Sequence, residues 1–256
     1  MTKKTLKIIH DLKKKKQGIT SLTSYDASFA KLADQCGVDI LLIGDSLGEV
    51  IKGDKNTHSV TMNEMIYHTK NVASGSNHAY LIADLPKHSF HNKKIALMNS
   101  KKLIGKSMAD MVKIETSIQE INIIKFLVNN KIPVCGHIGI RPQSIRSKKY
   151  YKKVGTNIKE YNNLIKEALL VQEAGAGLII VECIAEEVAR KITSLLSIPV
   201  IGIGSGNKCD GQIRVIYDIF GLSFNGTPGF LKKTQKKINI LENVISKYIN
   251  NTKKYK

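Results

Sequence analysis

Short apolar runs rich in β-branched residues return along the whole chain, and that recurrence restricts the fold more than any other feature. GITSLTSY, DILLIGD, AYLIADLP, MVKIE, IPVCGHIG, GLIIVEC and IPVIGIGS are the clear ones, with QIRVIYD a weaker addition. Continuous apolar runs of this kind read as strands buried on both faces, the habit of parallel sheet covered by helices. Most intervening segments carry helical periodicity. ASFAKLADQC, Ala27 to Cys36, stops at Gly37, and the segment Tyr161 to Ala174 stops at Gly175, each a residue that accepts positive φ cheaply. Thr61 followed by Glu64 in TMNEMIYHTK makes a capping-box pattern. Seven or eight βα units in 256 residues fit a single-domain (β/α)8 TIM-type barrel better than an open sheet. Nothing marks a second domain, so residues 1–256 are expected to form one barrel with short basic extensions at both ends. Within it SIRSKKYYKKVGTN, Ser144 to Asn157, reads as a mobile loop.

The four cysteines, Cys36, Cys135, Cys183 and Cys209, show no CxxC spacing, and two of them sit in apolar runs. That pattern points to a reducing, cytoplasmic compartment. No apolar stretch approaches the ~20 residues of a bilayer span, and MTKKTLKIIH is followed by DLKKKK instead of a secretory apolar segment. The formal charge of +19 invites a nucleic-acid partner. Its lysines, however, are spread in small groups with few aromatic neighbours, which describes solvated faces. The expectation is a soluble protein with no membrane partner and no dedicated nucleic-acid partner, whose field would favour anionic small substrates.

Several strand-like runs finish at a polar residue: Asp45 after ILLIG, Asp84 after YLIA, Glu115 after VKI, His137 after PVCG and Glu182 after LIIV. In a parallel barrel all C-terminal strand ends open on one face, so these five groups would converge on one mouth. A lone carboxylate there often caps a helix or meets water. Three on consecutive strands repel one another unless a cation or proton compensates, and a hard divalent ion with oxygen ligands is the natural compensator. Residues two apart on a strand share a face, so Lys113 points the same way as Glu115 and needs an anion, most simply a substrate carboxylate. Asp45 and Ser46 are adjacent; both reach one ligand only if the strand ends at Gly44. His137 could orient a substrate oxygen or Glu182. GIGSGN, Gly202 to Asn207, reads as a tight turn, His88 and His91 as an exposed segment, and no G-x-S-x-G elbow is present.

TSYDASFAKLAD, GDSLG, TMNEMIYHTKNV, LIADLP, MVKIE, VCGHIGIRPQS, VECI and IPVIGIGSGNKCDGQIRVIYDIFG follow one another along nearly the whole chain. In this order they resemble the ketopantoate hydroxymethyltransferase family. The resemblance implies a (β/α)8 barrel and a cytoplasmic homodecamer with one Mg2+ per subunit. It also implies transfer of a hydroxymethyl group from 5,10-methylenetetrahydrofolate to 3-methyl-2-oxobutanoate in pantothenate biosynthesis, through an enolate stabilised by the metal. The family's metal positions fall on Asp45, Asp84 and Glu115, its substrate positions on Asp45, Ser46, Asp84 and Lys113, and its proton acceptor on Glu182. The chain departs from the family pattern at Thr116-Ser117, where paired glycines are usual, at Ile184-Ala185-Glu186, where a proline-containing turn is usual, at Lys87 and in the loop KKYYKKVGT. Two rivals follow from the same residues: a Mg2+-dependent lyase or mutase acting on an α-keto acid without folate, and a basic nucleic-acid-binding or assembly protein on an inactive barrel.

Overall fold

The computed structural model describes residues 2–145, 152–226 and 238–253. The apolar runs become β1 (Ile19–Thr23), β2 (Ile40–Ile43), β3 (Tyr80–Asp84), β4 (Met111–Glu115), β5 (Val134–Gly139), β6 (Leu178–Glu182), β7 (Val200–Ile203) and β8 (Gly211–Arg214). All pair in parallel in sequence order, and β8 pairs back to β1, which closes the barrel. The weaker QIRVIYD run thus supplies the closing strand. Around them stand α2 (Ala27–Gln35), α3 (Leu47–Val50), α4 (Met62–Gly75), α5 (Lys93–Lys101), α6 (Ile121–Asn129), α7 (Ile158–Glu173), α8 (Glu186–Leu195) and α9 (Ile216–Phe220). α1 (Leu6–Lys14) precedes the barrel and α10 (Ile238–Thr252) follows it, while residues 204–210 join β7 to β8 without a helix.

The local signals explain where the helices begin and end. Asp26 accepts a hydrogen bond from the Phe29 amide to start α2, and Thr61 and Glu64 close the capping box that starts α4. Gly37 and Gly175 take φ of +85° and +91° just past α2 and α7. α7 begins at Ile158, three residues before the sequence periodicity suggests, because Asn157 caps it by accepting from the Glu160 amide. Of the expected loop Ser144–Asn157, residues 146–151 lie outside the described residues; Val154 beyond them pairs with Ile184.

Strand alternation splits the apolar residues into two cores. Leu41, Leu81, Val112, Ile114, Val134, Ile179 and Val181 pack outward against the helices. Ile19, Ile40, Leu42, Tyr80, Ile82, Met111, Cys135, Leu178, Ile180, Ile201 and Ile213 fill the barrel itself, joined by Ile9 of α1. α1 therefore closes the N-terminal end. Lys3, Lys4 and Lys13 hold it there through Asp110, Asp39 and Asp210 at 2.9, 2.8 and 2.7 Å. With the lower barrel filled by hydrocarbon, the same inward parity two residues further up delivers Asp84, Lys113, Glu115, His137 and Glu182 to the open end.

Candidate active site

Asp45, Ser46, Asp84, Lys113, Glu115, His137 and Glu182 all line one cavity of about 490 Å³ at the C-terminal end of the barrel. The turn that lets adjacent Asp45 and Ser46 share it is present: β2 ends at Ile43, and Ser46 already has helical φ and ψ of −54° and −13° at the start of α3. Gly44 makes the turn tight, since a Cβ there would lie 2.8 Å from Ser46 Oγ. Ser46 Oγ in turn shares a 2.8 Å hydrogen bond with the buried Tyr25 hydroxyl. β5 does not end at His137 as the PVCG run suggests. It continues to Gly139, where φ reaches +94° and a side chain would collide with the Glu182 carbonyl at 2.3 Å. His137 is consequently a wall residue inside the strand rather than a strand-end residue.

A chain of contacts crosses the floor of the cavity. Asp84 accepts from the Asp45 amide at 3.0 Å through Oδ2 and pairs with Lys113 Nζ at 2.9 Å through Oδ1. The anion that Lys113 requires is thus supplied by the neighbouring strand. Lys113 Nζ lies 3.4 Å from His137 Nδ1, and His137 Nε2 lies 3.2 Å from Glu182 Oε2, off the line of a good hydrogen bond. An ammonium can only donate, so Nδ1 is the acceptor and the imidazole proton sits on Nε2, facing Glu182. Burial first, and then the charge of Lys113, hold His137 well below its ordinary pKa, so the ring is neutral. Burial alone would lower Lys113; the carboxylates of Asp84, Asp45 and Glu115 outweigh it and keep the ammonium charged.

Among the described residues the cavity wall carries the carboxylates of Asp45, Glu49, Asp84, Glu115, Glu182 and Asp218 against one cation, Lys113. Burial and then Asp84 push Asp45 up to about 7, and burial and then Asp45 push Glu115 well above the usual range. An all-oxygen donor set with excess buried negative charge is the chemistry of a hard divalent cation. No three such groups among the described residues already stand as a ligand cage. Mg2+ characteristically takes few carboxylates and completes its shell with water or substrate oxygens.

Two buried residues that strand-end reasoning does not reach stand behind this site and support its wall. Tyr25 follows β1, and Gln143 sits in the single turn Pro142–Ser144 after β5, where its amide side chain contacts Asp45. Their only sequence signal is their place in the TSYD and RPQS segments. His88 and His91 are exposed and away from the cavity wall, and Gly204 and Gly206 make the tight turn expected of GIGSGN, with φ of +63° and +80°.

The family model described as ketopantoate hydroxymethyltransferase matches residues 3–256. A 3-methyl-2-oxobutanoate hydroxymethyltransferase of Buchnera aphidicola is 44% identical over 245 residues, spanning 96% of this chain and 93% of the relative. The corresponding protein of Aliivibrio fischeri named 3-methyl-2-oxobutanoate hydroxymethyltransferase 2 is 40% identical, spanning 99% and 96%. A solved phosphonopyruvate hydrolase, in complex with oxalate and Mg2+, superimposes with a TM-score of 0.66 over 98% of this chain and 88% of its own; at 12% identity this likeness concerns the fold. With its strand-end groups gathered at one mouth and the family match running almost from end to end, the chain belongs to the ketopantoate hydroxymethyltransferase family, a family of transferases.

Proposed function

We propose that this enzyme transfers the one-carbon unit of 5,10-methylenetetrahydrofolate to 3-methyl-2-oxobutanoate, yielding 2-dehydropantoate for pantothenate synthesis. The observation that carries the reading is the pairing, in one cavity, of a substrate-sized cationic anchor with a carboxylate held against a neutral imidazole. Lys113 has three N–H donors, of which Asp84 and His137 engage two, and the third is available to a substrate carboxylate. Ser46, steadied by Tyr25, donates to the same carboxylate from the turn after β2. Glu182 accepts the C3 proton of the keto acid, with the neutral His137 ring beside it, Nε2 lying 3.2 Å from Oε2. The resulting carbon nucleophile forms a C–C bond to the folate methylene as one methylene C–N bond breaks; water then gives its oxygen to that carbon as the second C–N bond breaks. The proton from Glu182 and one from water pass to the two folate nitrogens, so that the hydroxymethyl product and tetrahydrofolate leave.

Asp45, Asp84 and Glu115 are the residues that would hold a divalent cation, one per subunit, in keeping with the charge excess on the wall. Mg2+ bound there supplies Lewis-acid stabilisation of negative charge developing on the keto oxygen. We place the enzyme in the cytoplasm on the strength of its free cysteines, and in a homo-oligomer on the exposed apolar stripe of α10. No described helix is long and apolar enough to cross a membrane.

The test is exchange of the C3 hydrogen of 3-methyl-2-oxobutanoate with solvent deuterium, followed by NMR with Mg2+ and no folate. Exchange is expected, with Glu182→Gln slowing it by about 10²–10⁴-fold, and addition of 5,10-methylenetetrahydrofolate should convert the exchanging substrate to product. Folate-independent cleavage of a keto acid, or no exchange at all, overturns the reading.

A further inference from the structure

Gln143 is 4% exposed and sits in the turn after β5, hydrogen-bonded to two carboxylates of the cavity wall, Asp45 and Glu115. Pro142 opens its turn without an N–H, so the first free amide of that turn is Gln143's own. It is directed at Glu115, 3.1 and 3.2 Å from the two carboxylate oxygens. The side chain does something different. Its Nε2 donates to Asp45 Oδ2 at 2.7 Å and to the Leu85 carbonyl at 3.0 Å. Both partners are acceptors, so the orientation of the carboxamide is fixed by chemistry: reversing it would set an oxygen against a carboxylate and a carbonyl. Both amide hydrogens are thereby used, and Oε1 is left buried with no hydrogen-bond partner.

We propose that Gln143 is the positioning residue of the divalent-cation site, holding Asp45 with its side chain and Glu115 with its backbone so that the two carboxylates keep their separation before the ion arrives. The inference rests on the cation reading given above. Three observations carry it. Gln143 contacts both Asp45 and Glu115 by hydrogen bonds. The bond to Leu85, just beyond β3, ties the carboxamide to the strand that ends in Asp84, so groups from three strands are set by one residue. The orphaned Oε1 is an acceptor awaiting a donor, and water carried by a cation in a site of few protein ligands is such a donor.

The experiment uses the full-length protein, stripped of metal with EDTA, and titration calorimetry with Mg2+ and with Mn2+. Gln143→Met keeps the length and the backbone bond to Glu115 but removes the amide from Asp45. Its dissociation constant for either ion should rise about 10–100-fold, and the rise in Tm on adding 1 mM Mg2+, at roughly the concentrations that saturate such sites, should shrink accordingly. Turnover should return at saturating Mg2+, because the residue acts on the ion's site and not on the substrate. Gln143→Asn, polar but one methylene too short for Asp45, should show the same direction of change and serves if the Met variant does not fold. Unchanged affinity in a folded variant overturns the proposal, as does tighter binding, which would make Gln143 a competitor of the ion. A wild-type chain that binds neither ion overturns the cation reading itself, a result distinct from wild-type binding that the substitutions leave unaltered.

Discussion

Lys113 is the residue on which fold and chemistry meet: among the described residues it is the single cation of the cavity wall, two positions below Glu115 on β4 and 2.9 Å from Asp84. Lys113→Met keeps the volume of the stem and leaves the Asp84 carboxylate buried without its partner. Breaking such a pair from one side costs about 3–5 kcal/mol, so the urea midpoint should fall and turnover should vanish. Lys113→Met combined with Asp84→Asn removes both charges; it should recover most of the stability and none of the turnover. Wild-type stability in Lys113→Met alone would sink the ion-pair account. Tyr25 asks a finer question, because its hydroxyl reaches the site through hydrogen bonds to Ser46 and Thr23. Tyr25→Phe frees Ser46 from its hydrogen bond to the ring hydroxyl, a contact worth about 1 kcal/mol, and should raise KM for the keto acid by about fivefold with kcat held. A fall in kcat at constant KM would place the Ser46 hydroxyl in the chemical step instead of in binding.

At the scale of elements, the closed end of the barrel is stitched by carboxylates that cap the turns leading into the strands. Asp34, in the last turn of α2, accepts from Ser76 Oγ, the amides of Asn77, His78 and Ala79, and His78 Nδ1 at 2.8, 3.1, 3.0, 2.7 and 2.7 Å. Burial alone would raise its pKa, but the Ala79 amide, His78 and Ser76 outweigh it and hold the carboxyl far below its ordinary value. A depressed folded-state pKa confers stability that is complete above the unfolded value of ~3.9 and drains away as the pH falls below it. Asp34→Asn should therefore cost about 3 kcal/mol at neutral pH, and its unfolding free energy should converge on that of the wild type as the solution is acidified. A gap that stays constant on acidification would mean that packing, not charge, is what Asn fails to reproduce. The strands and the gathering of Asp84, Lys113, Glu115, His137 and Glu182 at one mouth were legible in the sequence because parity and parallel strand ends are local consequences of the pattern. Closure of β8 on β1 is not written in periodicity and was expected only from the number of βα units in this length. Gln143 and Tyr25 were not legible, since they reach Asp45, Glu115 and Ser46 from segments outside the strands whose course periodicity does not constrain. The seat of α1 was hidden for another reason: only Ile9 of this lysine-rich segment is fully buried, with Leu6 and Leu12 partly buried beside it. At Thr116-Ser117, where the family pattern has glycines, side chains order the turn, with Thr116 Oγ1 donating to the Ile114 carbonyl and Ser117 to Glu120.

For the whole molecule, charge and apolar surface pull in opposite directions. At +19 each copy repels every other, and only part of that charge is grounded, as where Lys3, Lys4 and Lys13 meet acidic partners beneath the barrel. Against this stands α10, whose Leu241, Val244, Ile245, Tyr248 and Ile249 recur at helical spacing and are all exposed, Tyr248 at 70%. A 15-residue helix in water is marginal unless its apolar face is covered. Among the described residues no helix follows β7, and the one after β8, α9, is five residues long, so the helical layer is thinnest there. We expect α10 of one copy to lie on apolar surface of another. Light scattering of the full-length chain should then report an oligomer, and its Tm should climb with protein concentration. Because repulsion between like-charged copies is screened by salt, association should tighten as ionic strength rises, the reverse of a contact built on ion pairs. Val244→Asp with Tyr248→Asp should yield a smaller species whose Tm no longer depends on concentration. A wild-type chain that is monomeric at every concentration and salt would show that α10 is covered by its own barrel, and an oligomer indifferent to both substitutions would move the interface elsewhere on the surface.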